Sequence, residues 1–195
     1  MTNPVAGYAK CAEAAVKAGV KIVQLRMKHV SRDEILRVAR EGRRVTQGTE
    51  TAFIVNDDPE IAAQVGADGV HVGQDDMTPA EIRSRFPELE IVGLSTHNLS
   101  QVCAANKAKV DYIGVGPVYS TPTKDIPDPT LGLETMRAMI DLSRRPAVAI
   151  GGIDLSRIES VIKAGARNFA VVRAVCLSDS PYDAIRQIQE LAALD

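Results

Sequence analysis

Residues 52–76 read AFIVNDDPEIAAQVGADGVHVGQDD, and this stretch decides the fold. It contains two short apolar runs, 52–55 and 69–72, that are typical of strands buried on both faces. Between them, Asp58-Pro59 is a good helix start and Val65-Gly66 is a good helix end. A strand, a helix and a second strand in this order predict a right-handed βαβ unit with parallel strands.

The same alternation continues along the rest of the chain. Further apolar runs, predicted as strands, lie at 20–25, 91–94, 112–115, 147–150 and 169–172. Segments with helical spacing lie at 33–45, 79–86, 101–107, 133–142, 155–164 and 181–191. A strand–helix repeat of about 25 residues is on the scale of a TIM barrel unit. We therefore predict an α/β fold, a TIM (β/α)8-type barrel over residues 1–195 as a single domain, with an open doubly wound sheet as the alternative.

An evident first strand is missing from this predicted barrel. The chain begins inside the first predicted helix, near residues 8–18. Without a strand before it, the runs that begin at Val20 and Asn168 would face each other with unpaired edges. Three arrangements stay open. Residues 1–8 fill the gap irregularly, an earlier part of the chain supplies the strand, or a second chain covers the opening.

Composition and charge limit the classes of function. The 195 residues include 23 basic and 25 acidic side chains, for a net charge of −2. This balance argues against a protein that binds the phosphate backbone of nucleic acids. No apolar run approaches the roughly 18 residues of a membrane span, and the N-terminus has no secretory signal core. The three widely spaced cysteines indicate reduced thiols. We expect a cytoplasmic protein that acts on phosphorylated small molecules and has no membrane or nucleic-acid partner. The composition is compatible with either a monomer or a homo-oligomer.

Polar residues follow the predicted strands at the ends where ligands bind in such folds. In Gln24-Leu25-Arg26-Met27-Lys28, alternation places Gln24, Arg26 and Lys28 on one side. Two cations and an amide suit a di- or triphosphate. A solvated strand end explains these residues equally well.

A metal site is predicted from two carboxylates. Asp57 follows the run at 52–55 directly, whereas Asp58 is assigned to the helix N-cap. Asp76 lies beyond the end of the next run. Mg²⁺ usually takes one or two carboxylates and completes its shell with water and substrate phosphate. The sequence thus predicts Mg²⁺ at Asp57 and Asp76, while His71, inside its strand, is interpreted as a satisfied core histidine.

Later strand ends contribute further candidates. Ser95 is a candidate phosphate donor, and Gly151-Gly152 can present backbone N–H groups to a phosphate. Arg173 follows the last run, where TIM barrels often bind phosphate. The fifth run leads to two hydroxyls and a cation, which are Thr121, Thr123 and Lys124.

Taken in chain order, these motifs resemble the thiamine-phosphate synthase family. They are Gln24-Leu25-Arg26-x-Lys28, Asn56-Asp57, Gly69-Val-His-Val-Gly-Gln-Asp-Asp76, Ser95-Thr-His, Asp111-Tyr-Ile-Gly-Val-Gly-Pro, Thr121-x-Thr-Lys124 and Ala149-Ile-Gly-Gly-Ile. The resemblance extends from about the first helix to the end of the chain. It implies a transferase on a TIM barrel that joins hydroxymethylpyrimidine diphosphate to hydroxyethylthiazole phosphate, giving thiamine phosphate and pyrophosphate.

The resemblance also implies residue roles. Those holding the pyrimidine diphosphate would be Gln24, Arg26, Lys28, Asn56, Ser95 and Lys124. Those holding the thiazole phosphate would be Thr121, Thr123, Gly152 and the backbone of Val172 and Arg173. Asp57 and Asp76 would bind Mg²⁺. In the implied reaction, pyrophosphate leaves to give a pyrimidinylmethyl cation, which the thiazole nitrogen captures. The catalytic residues Arg26, Lys28 and Lys124 would stabilise the leaving group.

Two positions depart from the family pattern. Met27 stands where the family usually has Glu, and on alternation it points away from the diphosphate side. Arg173 stands where the family usually has Ser, which changes the phosphate contact although Arg also binds phosphate.

Two alternative functions stay open at the level of the sequence. One is a thiazole tautomerase on a similar barrel, and the other is a non-catalytic protein that binds thiazole or thiamine phosphate. A tautomerase would need only the thiazole-phosphate half of the site. The presence of the acids and cations of the diphosphate half, which are Asp57, Asp76, Lys28 and Lys124, favours the synthase.

Overall fold

Six parallel strands form the centre of this computed structural model, which describes residues 1–121 and 129–193. The strands are β1 (Ile22–Leu25), β2 (Ala52–Asn56), β3 (Gly69–Val72), β4 (Ile91–Thr96), β5 (Tyr112–Val115) and β6 (Ala147–Ala149). Each strand pairs with its neighbour in sequence, so the sheet order is the chain order. All the strand carboxyl ends therefore lie on one side of the sheet.

Helices connect the strands within the described residues. They are α1 (Tyr8–Lys17), α2 (Arg32–Thr46), α3 (Pro59–Val65), α4 (Pro79–Arg85), α5 (Leu99–Ala105), α6 (Gly132–Leu142), α7 (Ile158–Lys163), α8 (Arg173–Cys176) and α9 (Pro181–Ala192). The predicted start signals act as caps: the Asp58 carboxylate accepts from the Ile61 N–H at 2.8 Å, and Thr78 forms a capping box with Glu81. Across the described segments, no helix combines the length and apolarity that crossing a bilayer requires.

The strands are buried on both faces, as their continuous apolar runs predict. All four residues of β3 and of β5 are buried. On β2, Phe53 and Val55 point to one face and Ile54 to the other, and each is at most 1% exposed. The sheet is thus covered by helices on one face and filled with interior side chains on the other.

The predicted α/β, TIM-barrel-like architecture is confirmed, but the described residues form six strands in a curled half-barrel, one fewer than the seven predicted strands. The run at 169–172, predicted as a strand, forms only one parallel bridge, between Phe169 and Ala149. Two backbone hydrogen bonds hold it there, from Ala149 to Asn168 and from Ala170 to Ala149, both 2.9 Å long. Beyond them the chain turns into α8, so the run is too short to continue a ladder.

Residues at the start of the chain lie along the open edge of β1. The Arg26 N–H donates to the Met1 carbonyl at 2.9 Å, and the Met1 amino group donates to the Gln24 carbonyl. Farther along, the Val5 N–H donates to the Cys176 carbonyl at 2.8 Å. The segment thus links β1 to α8 without forming a regular strand, which agrees with the first of the three predicted arrangements.

The cysteines do not all share one environment. Cys11 on α1 and Cys176 on α8 are buried, whereas Cys103 is exposed. The neighbouring Cys176 thiol is the largest cause of the raised pKa of Cys11, and burial raises it further. Residues far apart in sequence thus meet beside the N-terminal segment.

Candidate active site

A lysine and two carboxylates meet where β1, β2 and β3 end. Asp57 follows β2 with φ of 65°, and its N–H donates to the His71 carbonyl at 2.8 Å. The Asp57 carboxylate accepts a hydrogen bond from Lys28 Nζ. Left-handed backbone is uncommon for residues other than Gly, and such conformations concentrate at functional sites. Here it turns the Asp57 side chain out of the strand and toward Lys28.

Asp76 completes this group from the segment after β3. The Gly73 N–H donates to Asp76 Oδ2 at 2.7 Å and fixes the carboxyl. Partial burial raises the pKa of Asp76, and the adjacent Asp57 carboxyl raises it further, while the Gly73 N–H and the Lys28 charge oppose the shift. The Asp57 contribution to this shift places the two acids close enough for the charge of one to affect the pKa of the other.

The donor set at this position fits Mg²⁺. Asp57 and Asp76 supply two carboxylates from neighbouring strand ends, and a divalent cation would remove their mutual repulsion. Over residues 1–121 and 129–193, no group of three or more His, Cys, Asp or Glu side chains lies together. Two protein carboxylates leave positions for water and phosphate oxygens, which is the usual manner of Mg²⁺ binding.

Three other predicted diphosphate residues lie at or next to the carboxyl ends of β1 and β2. Gln24 is half-buried on β1, and its amide opposes the rise in the pKa of Tyr112 that burial of the phenol causes. The Arg26 guanidinium lies near the Met1 amino group, whose pKa is lowered mainly by burial and to a lesser extent by the Arg26 charge. Asn56 ends β2 in register with His71. These positions are thus grouped around the Lys28, Asp57 and Asp76 cluster.

A buried chain of polar side chains crosses the interior behind that cluster. His71 Nε2 lies 2.9 Å from Ser95 Oγ, and His71 Nδ1 lies 2.9 Å from Tyr112 Oη. His71 and Ser95 are each 7% exposed, and Tyr112 is 9% exposed. The interpretation of His71 as a satisfied core histidine is confirmed.

Sequence reasoning missed Tyr112, because it opens an apolar run and is easily read as core. Its register partner on β4 is Gly93. A Cβ on Gly93 would lie 2.2 Å from Tyr112 Cζ. A tyrosine facing a glycine on the next strand is a sequence signal that would have identified an interior ring with space made for it.

One predicted thiazole-phosphate residue, Gly152, lies just after β6 and beside the segment that leads to Thr121. Gly152 has φ of 67°, and a Cβ there would lie 2.7 Å from the Ser120 carbonyl oxygen. The Tyr119 N–H donates to the Gly151 carbonyl at 3.1 Å, so the segment that leads to Thr121 runs beside the two glycines. Only glycine allows this close approach of the two backbones.

The structure describes some of the remaining predicted residues and not others. Val172 and Arg173 begin α8, with Arg173 exposed. The side chain of Met27 is half-buried and packs against the hydrophobic core. Thr123 and Lys124 lie outside the described residues.

Sequence comparison places these features in a known family. The model of the thiamine monophosphate synthase family matches residues 2–175. The chain belongs to this family. A thiamine-phosphate synthase from Chloroflexus aurantiacus is 41% identical over 182 residues, covering 93% of this chain and 84% of the relative. A thiamine-phosphate synthase from Thermus thermophilus is 42% identical over 179 residues, covering 91% of this chain and 85% of the relative.

A solved structure supports the same assignment to the thiamine monophosphate synthase family. The thiamine phosphate pyrophosphorylase from Pyrococcus furiosus superposes with a TM-score of 0.86 at 28% identity, covering 95% of this chain and 89% of that structure. The likeness extends over nearly the whole chain, including the strand ends that hold the candidate site.

Proposed function

We propose that this chain is a thiamine-phosphate synthase, a transferase that joins hydroxymethylpyrimidine diphosphate to hydroxyethylthiazole phosphate and releases pyrophosphate. The grouping of Lys28, Asp57 and Asp76 at the strand carboxyl ends carries the proposal. In a member of the thiamine monophosphate synthase family, this group is suited to a diphosphate and its metal ion.

The diphosphate half of the proposed site rests on positive charge and hydrogen-bond donors. Arg26 and Lys28 follow the carboxyl end of β1 and would bind the phosphate oxygens, together with Lys124. Gln24, Asn56 and Ser95 would hold the rest of the pyrimidine diphosphate. Bound at Asp57 and Asp76, Mg²⁺ would add charge stabilisation to the departing pyrophosphate.

The thiazole-phosphate half of the proposed site rests on backbone donors and hydroxyls. Gly152 lies against the segment that leads to Thr121, so a phosphate between them would meet both main-chain N–H and hydroxyl donors. Thr123 and the backbone of Val172 and Arg173 would complete this half. Binding both substrates at the same carboxyl-end edge of the sheet would bring the thiazole nitrogen close to the pyrimidinylmethyl carbon. This proximity would lower the entropic cost of joining the two substrates.

Catalysis in this proposal needs no nucleophilic side chain. Loss of pyrophosphate would leave a pyrimidinylmethyl cation, and the thiazole nitrogen would capture it. The protein's contribution is then to stabilise charge that develops on the leaving group, through the catalytic residues Arg26, Lys28 and Lys124. The tautomerase and the non-catalytic binder are not favoured, because the curated relatives bear the synthase name.

The direct test is a reaction of the purified chain with both substrates, with and without Mg²⁺. Thiamine phosphate and pyrophosphate should form together, in equal amounts and only with Mg²⁺. Omission of either substrate is the control for contaminating hydrolysis. A folded protein that binds thiazole phosphate but makes no thiamine phosphate would exclude the synthase and favour one of the two alternatives.

A further inference from the structure

A cavity of about 430 Å³ lies on the amino-terminal side of the sheet, opposite the strand ends that carry the candidate active site. It is bounded by α6, by the residues that lead into β6, and by the residues between α7 and the bridge at Phe169. Its volume is within the range of small-molecule sites, about 300–1,000 Å³. The charged residues of its lining, none of which the proposed reaction uses, are Arg137, Asp141, Arg145 and Arg167.

Two other places on this side of the sheet show an arginine paired with an acid. Asp68, just before β3, accepts from a backbone N–H of β2 at 2.7 Å and forms an ion pair with Arg43 of α2 at 3.0 Å. Asp111, just before β5, accepts from a backbone N–H of β4 at 2.6 Å and forms an ion pair with Arg83 of α4. At both places a helix arginine and a strand N–H share one carboxylate, which stands directly before the next strand.

A third copy of this arrangement borders the cavity, and it carries an amide instead of the acid. Asn168 stands directly before the bridge residue Phe169, and Arg137 stands on α6, the helix before β6. The Asn168 side chain donates to the Ala147 carbonyl at 3.4 Å and brings no charge. Arg137 instead pairs with Asp141 on its own helix, where both side chains are more than half exposed. Such an exposed pair binds weakly, so the third copy keeps its arginine but lacks the shared carboxylate.

The lining of the cavity also holds a donor without an acceptor. Arg145 Nε is buried and has no hydrogen-bond partner among the described residues, whereas another nitrogen of this guanidinium donates to the Ala108 carbonyl at 3.2 Å. Buried donors are normally paired, so this N–H requires an acceptor. A Cβ on Gly165 would lie 2.2 Å from Arg137 Nη1, so the glycine leaves room for a second guanidinium at the end of α7.

We propose that this cavity binds the phosphate group of a small molecule, which takes the place of the carboxylate that Asp68 and Asp111 supply in the other two copies. Three guanidinium groups and one carboxylate leave two positive charges in the lining. A phosphate monoester carries about 1.5–2 negative charges at pH 7 and has three acceptor oxygens. Arginine binds such oxygens in bidentate pairs. The phosphate group is shared by inorganic phosphate and phosphate monoesters, and the site is independent of the proposed function.

Binding is tested by titrating inorganic phosphate and glycerol 3-phosphate separately into the ¹⁵N-labelled chain at constant ionic strength. The backbone amides of Gly165 and Asn168 report on the cavity, and we expect saturable NMR shifts at both. Shifts with inorganic phosphate alone would identify the free anion as the ligand, and shifts with the ester alone would identify a phosphorylated molecule. The absence of saturable shifts at these two amides with either probe would overturn the proposal, even if Gly73 and Gly152 at the candidate active site respond.

The role of the arginines is tested by Arg145→Gln and Arg167→Gln, with the Gly165 amide as the reporter. Each change should weaken phosphate binding about tenfold or more, because it removes a charge-assisted hydrogen bond. Arg167 is exposed, so its variant should fold even if loss of the Arg145 packing harms the other. Arg144→Gln is the matched control, because Arg144 is an exposed neighbour outside the lining. It should change the affinity by no more than about twofold, and a loss equal to that of Arg167→Gln would overturn the proposal.

Asn168→Asp tests the comparison with the other two copies, because it restores their acid without removing a cation. The new carboxylate should pair with Arg137 and lower the phosphate affinity about tenfold or more, since two negative charges would share one place. Asn168→Ala is the control and should keep the affinity within about threefold, because it loses only a long neutral hydrogen bond. Undiminished binding by Asn168→Asp, or an equal loss in both variants, would overturn the proposal. These titrations need no turnover, so an inactive protein that binds phosphate here would count only against the proposed function.

Discussion

Replacing Gly93 by Ala tests whether the interior is shaped around the two buried rings. The new Cβ would lie 2.2 Å from Tyr112 Cζ and 2.5 Å from His71 Nδ1. Carbon atoms in contact are about 3.5–4.0 Å apart, so the Tyr112 ring must move by about 1 Å or more. Such a movement breaks its 2.9 Å hydrogen bond to His71.

The expected loss can be estimated from these contacts. Overpacking costs about 1–3 kcal/mol, and a lost buried hydrogen bond costs about 1 kcal/mol. The smaller unfolded-state entropy of Ala offsets about 0.5 kcal/mol. The free energy of unfolding should fall by about 2–3 kcal/mol, which lowers Tm by about 4–12 °C in a chain of this size.

Urea denaturation followed by circular dichroism measures this loss, and Gly114→Ala is the matched control on the next strand. A Cβ on Gly114 would lie 3.1 Å from Ile150 Cδ1, the movable end of a side chain, and 3.4 Å from His71 Cε1. Its cost should stay below about 1 kcal/mol, because Ile150 can adjust. Equal stabilities of the two variants, or a Gly93 variant as stable as the parent protein, would refute the reasoning.

Three further predictions concern the strand ends. Asp57→Ala and Asp76→Ala should each abolish Mg²⁺-dependent turnover while leaving the circular dichroism spectrum unchanged. Asp75→Ala is the control and should stay active. Turnover in both of the first two variants would refute the metal assignment. Asp57→Asn should lower the pKa of Asp76, followed by ¹³C NMR, because a neighbouring negative charge is removed while burial of the carboxyl remains; an unchanged pKa would mean that the two acids do not interact. Lys124→Ala should impair use of the pyrimidine diphosphate in steady-state kinetics, and a loss confined to the thiazole phosphate would show that the proposed division of the site is wrong.

Sequence patterns predicted the strands in the middle of the sheet well, because a short continuous apolar run between clear helix start and end signals indicates a buried strand. The run at 69–72 is β3 without change, and the run at 52–55 is β2 with one more residue. The run at 20–25 begins too early, since the Val20 N–H completes the end of α1 by donating to the Ala15 carbonyl. Apolar residues thus mark burial, but hydrogen bonding decides where a strand begins.

The candidate site was predictable where it depends on strand ends and not where it depends on pairing across the interior. Lys28, Asp57 and Asp76 come together because parallel strand ends share one edge. The contact between His71 and Tyr112 depends on the curl of the sheet, which no local pattern encodes. The proximity of Cys11 to Cys176 likewise depends on how the N-terminal segment meets α8.

The sequential strand order makes the acid pair a transferable block. Because each strand pairs only with its sequence neighbours, residues 52–76 carry two adjacent strands, α3 with its Asp58 cap, and both acids. Recombination between homologues at the ends of this block would move Asp57 and Asp76 together, with their mutual register intact. A crossover inside the block would instead combine Asp57 from one homologue with Asp76 from another, together with the different neighbouring residues of each. Breakpoints that respect the block should therefore give a larger share of functional chimaeras.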